Sequence, residues 1–340
     1  MDKKVIITGG AGYIGSHTVV ELVSAGYDPV IVDNLSNSNI GVLAGIKEIT
    51  QRNIPFENID LCDGPLCKTF FEKHKDAVGV IHFAALKAVG ESVARPVHYY
   101  KNNLFSLINV IGGMKDNGIM NHIFSSSCTV YGQPEALPVT EDSPVQAAAS
   151  PYGNTKQIAE EILSEDITSR TDNSKVIALR YFNPIGAHDS ALIGELPLGV
   201  PNNLIPFITQ TAAGIREQLS VFGSDYDTTD GTPIRDYIHV VDLAQAHVVA
   251  LERLLKNTNK NRYEVYNLGT GKGYTVLEVI QSFEKMSGLK LNYKLIDRRP
   301  GDVEATYADT QLAKNELGWQ AQRSLDDMTS SAWKWQQSLG

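Results

Sequence analysis

The chain has 340 residues, 42% of them hydrophobic and 20% charged, with a formal net charge of -9, which suits one large or two ordinary globular domains with a real core. The acidic balance and the lack of a basic stripe speak against nucleic acid and anionic membranes as partners, although a few local arginines can still build a phosphate site. No apolar run is long enough for a bilayer span or a signal peptide, and Cys62, Cys67 and Cys128 make no disulfide framework, so the cytoplasm is the expected compartment.

Residues 5–8 form a short apolar run that ends in glycines, and 14–25 carry apolar side chains at helical spacing. A second strand at 30–32 ends at Asp33, and a helix follows around 41–50. Further strands are expected at 56–59, 78–84, 123–124 and 176–181. Long helices are expected at 97–115 and from Pro151, since proline favours a first helical turn. Repeated strand–helix alternation means βαβ units, hence an α/β fold with a Rossmann-type doubly wound parallel sheet and helices on both faces. From about residue 183 glycine and proline become frequent, 194–206 reads as loop, and helices return near 243–256, 276–286 and 325–336. The expected division is a Rossmann domain at 1–182 and a smaller α/β substrate domain at 183–340. Strands at 237–241 and 265–268 are candidates to return to the first domain.

After the first strand comes Thr8-Gly9-Gly10-Ala11-Gly12-Tyr13-Ile14-Gly15. Glycines at this spacing let the backbone turn tightly and approach a pyrophosphate, with the next helix pointing its N–H groups at the phosphates. Such a loop alone is often an ordinary βα turn. Its place at the start of a βαβ repeat, and Asp33 at the end of the second strand, reverse that reading. A carboxylate there accepts bonds from ribose hydroxyls and repels a 2′-phosphate. No arginine follows in residues 34–38, so NAD rather than NADP is the expected cofactor.

Tyr152 and Lys156 lie four apart at the start of a helix and therefore share one face. Free tyrosine titrates near pH ~10, so a base working near neutrality needs about 4 kcal/mol of help, which a neighbouring ammonium and a cationic nicotinamide can give. Ser125, Ser126 and Ser127 fall where the fifth strand should end, facing the crevice, where a hydroxyl could bind the same sugar oxygen. At least one of the three reads instead as a turn cap. The eight histidines show no metal spacing and no second cysteine pair accompanies Cys62 and Cys67, so no metal is expected.

Together these residues resemble the extended short-chain dehydrogenase/reductase family, and within it the nucleotide-sugar 4-epimerases. The resemblance covers 9–16, 33–35, 82–92, 124–132, 151–156, 180–188, 201–206, 235–239 and 299–302, nearly the whole span of the chain. The stretches 86–92 and 180–188 are more specific than the glycine loop. The resemblance implies that Tyr152 is acid and base, Lys156 its partner and Ser127 the third catalytic group. It implies cofactor contacts at Gly9, Gly12, Tyr13, Ile14, Gly15, Asp33, Asn34, Leu35, Asn37, Ser38, Asp60, Leu61, Phe83, Ala84, Ala85, Lys87, Asn102 and Phe182, besides the catalytic three. It implies UDP-sugar contacts at Lys87, Ser127, Tyr152, Asn183, Asn203, Leu204, Val221, Phe222, Arg235, Arg299, Asp302 and Thr306. Arginines suit a diphosphate because the guanidinium makes paired charged hydrogen bonds.

The implied reaction interconverts UDP-glucose and UDP-galactose without net redox change. NAD takes the hydride from sugar C4 while Tyr152 takes the proton, the 4-keto sugar turns about its link to the diphosphate, and the hydride returns to the other face. Two positions depart from the family pattern. Ala85 replaces a common glycine, which should be harmless; Thr306 stands where some bacterial members have tyrosine, so N-acetylated UDP-sugars are expected substrates as well. A homodimer through the long helices near Val97 and Ile158 is also implied. Three other readings stay open: a nucleotide-sugar 4,6-dehydratase, a UDP-glucuronate epimerase or decarboxylase, and a non-catalytic NAD-sensing or scaffold protein. The dehydratase chemistry calls for a carboxylate after the fifth strand, where this chain has Ser127-Cys128-Thr129.

Overall fold

The computed structural model describes residues 3–299 and 303–340, so Asp302 lies outside the described residues. In chain order the elements are β1 (Lys4–Thr8), α1 (Tyr13–Ser24), β2 (Asp28–Asp33), α2 (Val42–Thr50), β3 (Phe56–Asn58), α3 (Gly64–Lys73), β4 (Gly79–His82), α4 (Val89–Ala94), α5 (Pro96–Asp116), β5 (Asn121–Ser125), α6 (Pro151–Ser169) and β6 (Lys175–Tyr181). There follow β7 (Asn183–Ile185), α7 (Leu204–Ala212), β8 (Leu219–Phe222), β9 (Ile234–His239), α8 (Val240–Leu255), β10 (Tyr263–Leu268), β11 (Gly273–Thr275), α9 (Val276–Ser287), β12 (Tyr293–Ile296), β13 (Ala305–Thr306) and α10 (Leu325–Ser338).

Seven strands form one sheet in the order β10-β6-β5-β4-β1-β2-β3. The pairings from β6 across to β3 are all parallel. Val5, Ile6, Ile7, Ile31, Ile81, Ile123 and Ile177 are buried along it, the continuous apolar runs that a sheet covered on both faces requires. The strand order reverses between β1 and β4. In a doubly wound sheet the ligand crevice opens beyond the carboxyl ends of the strands at that reversal.

Clustered by contact, the chain forms two units. The first holds residues 1–132, 145–180 and 244–266, and the second holds 133–144, 181–243 and 267–340. In the second, β9 pairs with β7, β11 and β13, and β8 pairs with β12. Its core packs Ile205, Ile208, Phe283 and Met328 among others. Residues 265–268 lie in the seven-stranded sheet as part of β10, whereas 237–239 belong to β9 in the sheet of the second unit.

Several elements go beyond the sequence expectation. The α3 helix starts where the Asp63 carboxylate accepts from Leu66 N at 3.0 Å, with a proline in the first turn. Its Phe70 and Phe71 are buried in the core beside the sheet. The α7 helix begins at Leu204, inside the stretch expected as loop. Strands β11 and β13 are too short to show a period of two. Among the described residues, no helix is long and apolar enough to cross a membrane.

Candidate active site

Gly9 follows β1 with φ +68, a left-handed conformation open to glycine. A Cβ on Gly9 would sit 2.8 Å from Ala84 N, and one on Gly15 would sit 2.3 Å from the Gly9 carbonyl oxygen. The loops leaving β1 and β4 therefore touch, and the first turn of α1, with Tyr13 and Ile14, rests on the glycine loop. Gly12 caps α1 without a side-chain bond, which leaves the N-terminal N–H groups available to an anion. This cradle of missing side chains at the strand reversal fits a dinucleotide pyrophosphate.

Asp33 ends β2 and is nearly buried. Its Oδ2 accepts from Ala11 N at 3.1 Å, and its Oδ1 accepts from Leu35 N at 2.9 Å and Ser38 Oγ at 3.0 Å. Three of about four lone-pair positions are thus used within the protein. Asp33 ties the glycine loop to residues 34–38, where Asn34 Oδ1 accepts from Ser36 N at 3.0 Å and Asn37 is exposed. The next loop holds Asp60, whose Oδ1 accepts from Cys62 N at 2.9 Å, and buried Leu61. Cys62 Sγ in turn lies 3.4 Å from the Asn102 carbonyl oxygen. After β4, Phe83 N donates to Thr8 O at 3.0 Å and Ala84 N to Thr8 Oγ1 at 3.2 Å, which fixes Phe83 and Ala84 on the end of β1, with Ala85 and Lys87 next along the same loop.

The α6 helix is started by Ser150, whose hydroxyl accepts from Gly153 N at 3.1 Å, and by Pro151. Tyr152 and Lys156 lie one turn apart on its buried face. Lys156 Nζ donates to Ser125 O at 2.6 Å and stands 4.8 Å from the Phe124 ring centroid. Burial pushes this ammonium down to about 8, while the Glu160 carboxylate acts in the opposite sense. Ser127 begins the 3-10 turn Cys128–Tyr131, and its Oγ accepts from Thr129 N at 3.2 Å, so this serine is both a turn cap and a hydroxyl at the strand exit. Beneath the loop, Thr8 Oγ1 and His82 Nδ1 are 2.8 Å apart, and burial holds the His82 imidazole well below its ordinary range and hence neutral.

In the second unit, β9 gathers three residues expected to contact a UDP-sugar. Arg235 lies on it, Thr306 is opposite Arg235, and Asn183 is opposite Tyr237. Arg235 donates to Ile234 O at 2.7 Å and Val303 O at 2.8 Å, so part of its five-donor fork ties β9 to the segment before β13. Val221 and Phe222 end β8, and the Arg299 guanidinium lies 4.4 Å from the Phe222 ring centroid. Asn203 gives its side chain to Glu195 Oε1 at 2.6 Å rather than to α7, so the first turn from Leu204 has no side-chain cap and suits a diphosphate. Phe182 follows β6 and is buried.

The model of the GDP-mannose 4,6 dehydratase family matches residues 6–332. A UDP-glucose 4-epimerase of Bacillus subtilis is 52% identical over 334 residues, covering 98% of this chain and 97% of its own. The chain belongs to the extended short-chain dehydrogenase/reductase family. Two solved structures bear on the site. A UDP-glucose-4-epimerase from Stenotrophomonas maltophila, with bound NAD and formylated UDP-arabinopyranose, has a TM-score of 0.95 at 46% identity and covers 99% of this chain and 98% of its own. A UDP-Glc/GlcNAc 4-epimerase from Campylobacter jejuni has a TM-score of 0.84 at 36% identity and covers 99% of both chains.

One residue of this extended short-chain dehydrogenase/reductase is placed by the structure alone. Asn103 Oδ1 accepts from Leu86 N at 2.8 Å, and its Nδ2 donates to Leu86 O and Thr155 Oγ1, both at 3.0 Å. It ties the loop after β4 to the first turn of α6. The available signal is that Asn103 falls in helical phase with buried Leu107, Val110 and Met114.

Proposed function

We propose that the chain is an NAD-dependent isomerase that interconverts UDP-glucose and UDP-galactose by reversible oxidation at sugar C4. The observation that carries this reading is the placement of Tyr152 one turn before Lys156 on the buried face of α6, with Lys156 anchored on Ser125 O two residues before Ser127. NAD supplies the hydride acceptor and later the hydride donor. Tyr152 takes the proton of the C4 hydroxyl and gives it back after the keto sugar has turned. Lys156 holds a positive charge that favours the phenolate, and Ser127 offers a hydroxyl to the same oxygen. Arg235, Arg299, Asn203 and the α7 N-terminus hold the diphosphate, while Asn183 and Thr306 border the sugar.

The matched family model takes its description from a 4,6-dehydratase, but that chemistry needs a further acid–base group. Ser127-Cys128-Thr129 provides no carboxylate at the strand exit. The experiment that tests the reading is incubation of the pure protein with UDP-galactose, UDP-N-acetylgalactosamine and UDP-glucuronate separately, followed by product identification. Formation of UDP-glucose supports it; a 4-keto-6-deoxy or decarboxylated product overturns it.

N-acetylated UDP-sugars belong to the same proposal. Thr306, opposite Arg235, is small where a tyrosine would fill the space beside C2, and the relative from Campylobacter jejuni is named for both sugars. The enzyme works in the cytoplasm and as a homodimer. Val97, Phe105 and Ile108 support the dimer: they are 78%, 50% and 49% exposed on α5, apolar surface that a second copy can cover.

A further inference from the structure

We propose that the buried Glu160–Arg180 pair is a positioning device: acting through Ser126, it locks the strand exit that carries Ser127 onto the helix face that carries Tyr152 and Lys156. This inference rests on the epimerase reading and assigns its geometry to residues outside the reacting set.

Tyr152, Lys156 and Glu160 succeed one another at four-residue spacing and so form one stripe along α6. The strand exit answers it rung by rung. Ser125 O accepts from Lys156 at 2.6 Å, and Ser126 Oγ donates to Glu160 Oε1 at 2.5 Å. Ser127 is the next residue. Ser126 is wholly buried, and its N–H is shared between Leu179 O at 2.9 Å and Phe124 O at 3.0 Å. The Glu160 carboxylate is gripped from the other side by Arg180. Nε reaches its two oxygens at 3.0 and 3.2 Å, and Nη2 reaches Oε2 at 2.5 Å. Arg180 Nη1 also donates to Tyr131 OH at 3.0 Å, with the guanidinium 4.9 Å from that ring's centroid. Tyr131 closes the turn that Ser127 opens. One ion pair thus holds the segment on both sides of Ser127.

A buried pair of this kind adds little net stability over well-packed apolar side chains, but its bonds are directional. Directional bonds matter here because a misplacement of about 1 Å at a reacting group can cost two orders of magnitude in rate. The pair also acts through charge. Among the described residues, Lys156 has Tyr152 and Glu160 one turn away on its own helix and His82 near it from β4, and Glu160 is met by Arg180 of β6 and Tyr263 of β10. The neutral His82 contributes no charge, so Glu160 is the anion that favours the ammonium.

The experiment compares the holoenzyme with Ser126→Ala, Glu160→Gln, Glu160→Met/Arg180→Met and Tyr152→Phe, measuring kcat and KM for UDP-galactose across pH together with Tm. Ser126→Ala keeps Tm and KM near the parent values and loses roughly tenfold in kcat. Glu160→Gln loses more, and the alkaline limb of its kcat profile moves to lower pH, because Lys156 without a nearby anion gives up its proton sooner. The double methionine variant recovers Tm but not kcat. Parent-like kcat in Ser126→Ala, or kcat recovered along with Tm in the double variant, overturns the proposal, and Ser126→Ala decides it even where Glu160→Gln does not fold. An active Tyr152→Phe would overturn the underlying reading instead, which separates the two failures.

Discussion

Lys156 donates to the main-chain oxygen of Ser125 at 2.6 Å, so the cation beside Tyr152 is fastened to the strand exit rather than left on a free stem. A charge held in that way stabilises phenolate without itself having to reorganise during the reaction.

Tyr152→Phe should therefore lose roughly 10²–10⁴ in kcat, the usual worth of a placed acid or base. The ring remains and its site is buried, so the circular dichroism spectrum and the retained NAD should match the parent. Near-normal turnover would remove Tyr152 from the mechanism.

The hydride should leave and return within one catalytic cycle. Reduced nicotinamide measured in the protein-free filtrate should stay far below the amount of sugar converted. Release in step with turnover would make the enzyme a dehydrogenase.

Arg235→Ala should raise KM for the UDP-sugar more than it lowers kcat, through a charged contact worth about 1.5–3 kcal/mol. The same substitution frees Val303 O from its 2.8 Å donor, so the strand bearing Thr306 loosens too. Unchanged kinetics would leave Arg235 as a tie between strands and nothing more.

Thr306→Tyr should lower kcat/KM for UDP-N-acetylglucosamine while keeping that for UDP-glucose. Overpacking a filled site costs roughly 1–3 kcal/mol, about five- to 150-fold in the ratio. A native enzyme inactive on the N-acetyl sugar, or a ratio unmoved by the substitution, would refute this reading of the pocket.

Burial pushes the His122 imidazole down to about 3, and burial likewise pushes His239 down to about 4. Each binds its proton more readily unfolded, near pH ~6.5, than folded. The stability each contributes is therefore full above that value and falls by about 1.4 kcal/mol per pH unit below it, until the folded group itself titrates. The urea midpoint should drop between pH 7 and 5, and His122→Phe should drop less steeply. An equal slope in that variant would assign the acid loss to other groups.

Much of this site could be read from residue types and spacing. Glycines at 9, 12 and 15, Asp33 at a strand end and Tyr152 four residues before Lys156 carry their meaning locally, because each sits at a fixed place on one strand–turn–helix unit. What escaped was set by distant partners. Asn103 matters through Leu86 and Thr155, pairings no short window contains. Strands β11 and β13 exist because β9 offers them an edge, and their own few residues have no preference strong enough to announce it. The α3 helix is different: Asp63 before Pro65 was a usable start signal in plain view.

The first unit takes back residues 145–180 and 244–266, and the outer strand of its sheet, β10, is made only at residues 263–268. During synthesis β6 therefore waits with an open edge, its N–H and C=O groups unpaired on one side, until the ribosome has passed residue 268. At ordinary translation speed that wait lasts on the order of ten seconds, an interval in which an open strand edge is exposed to wrong pairing. For the same reason, no contiguous fragment of the chain holds the residues of the first unit alone.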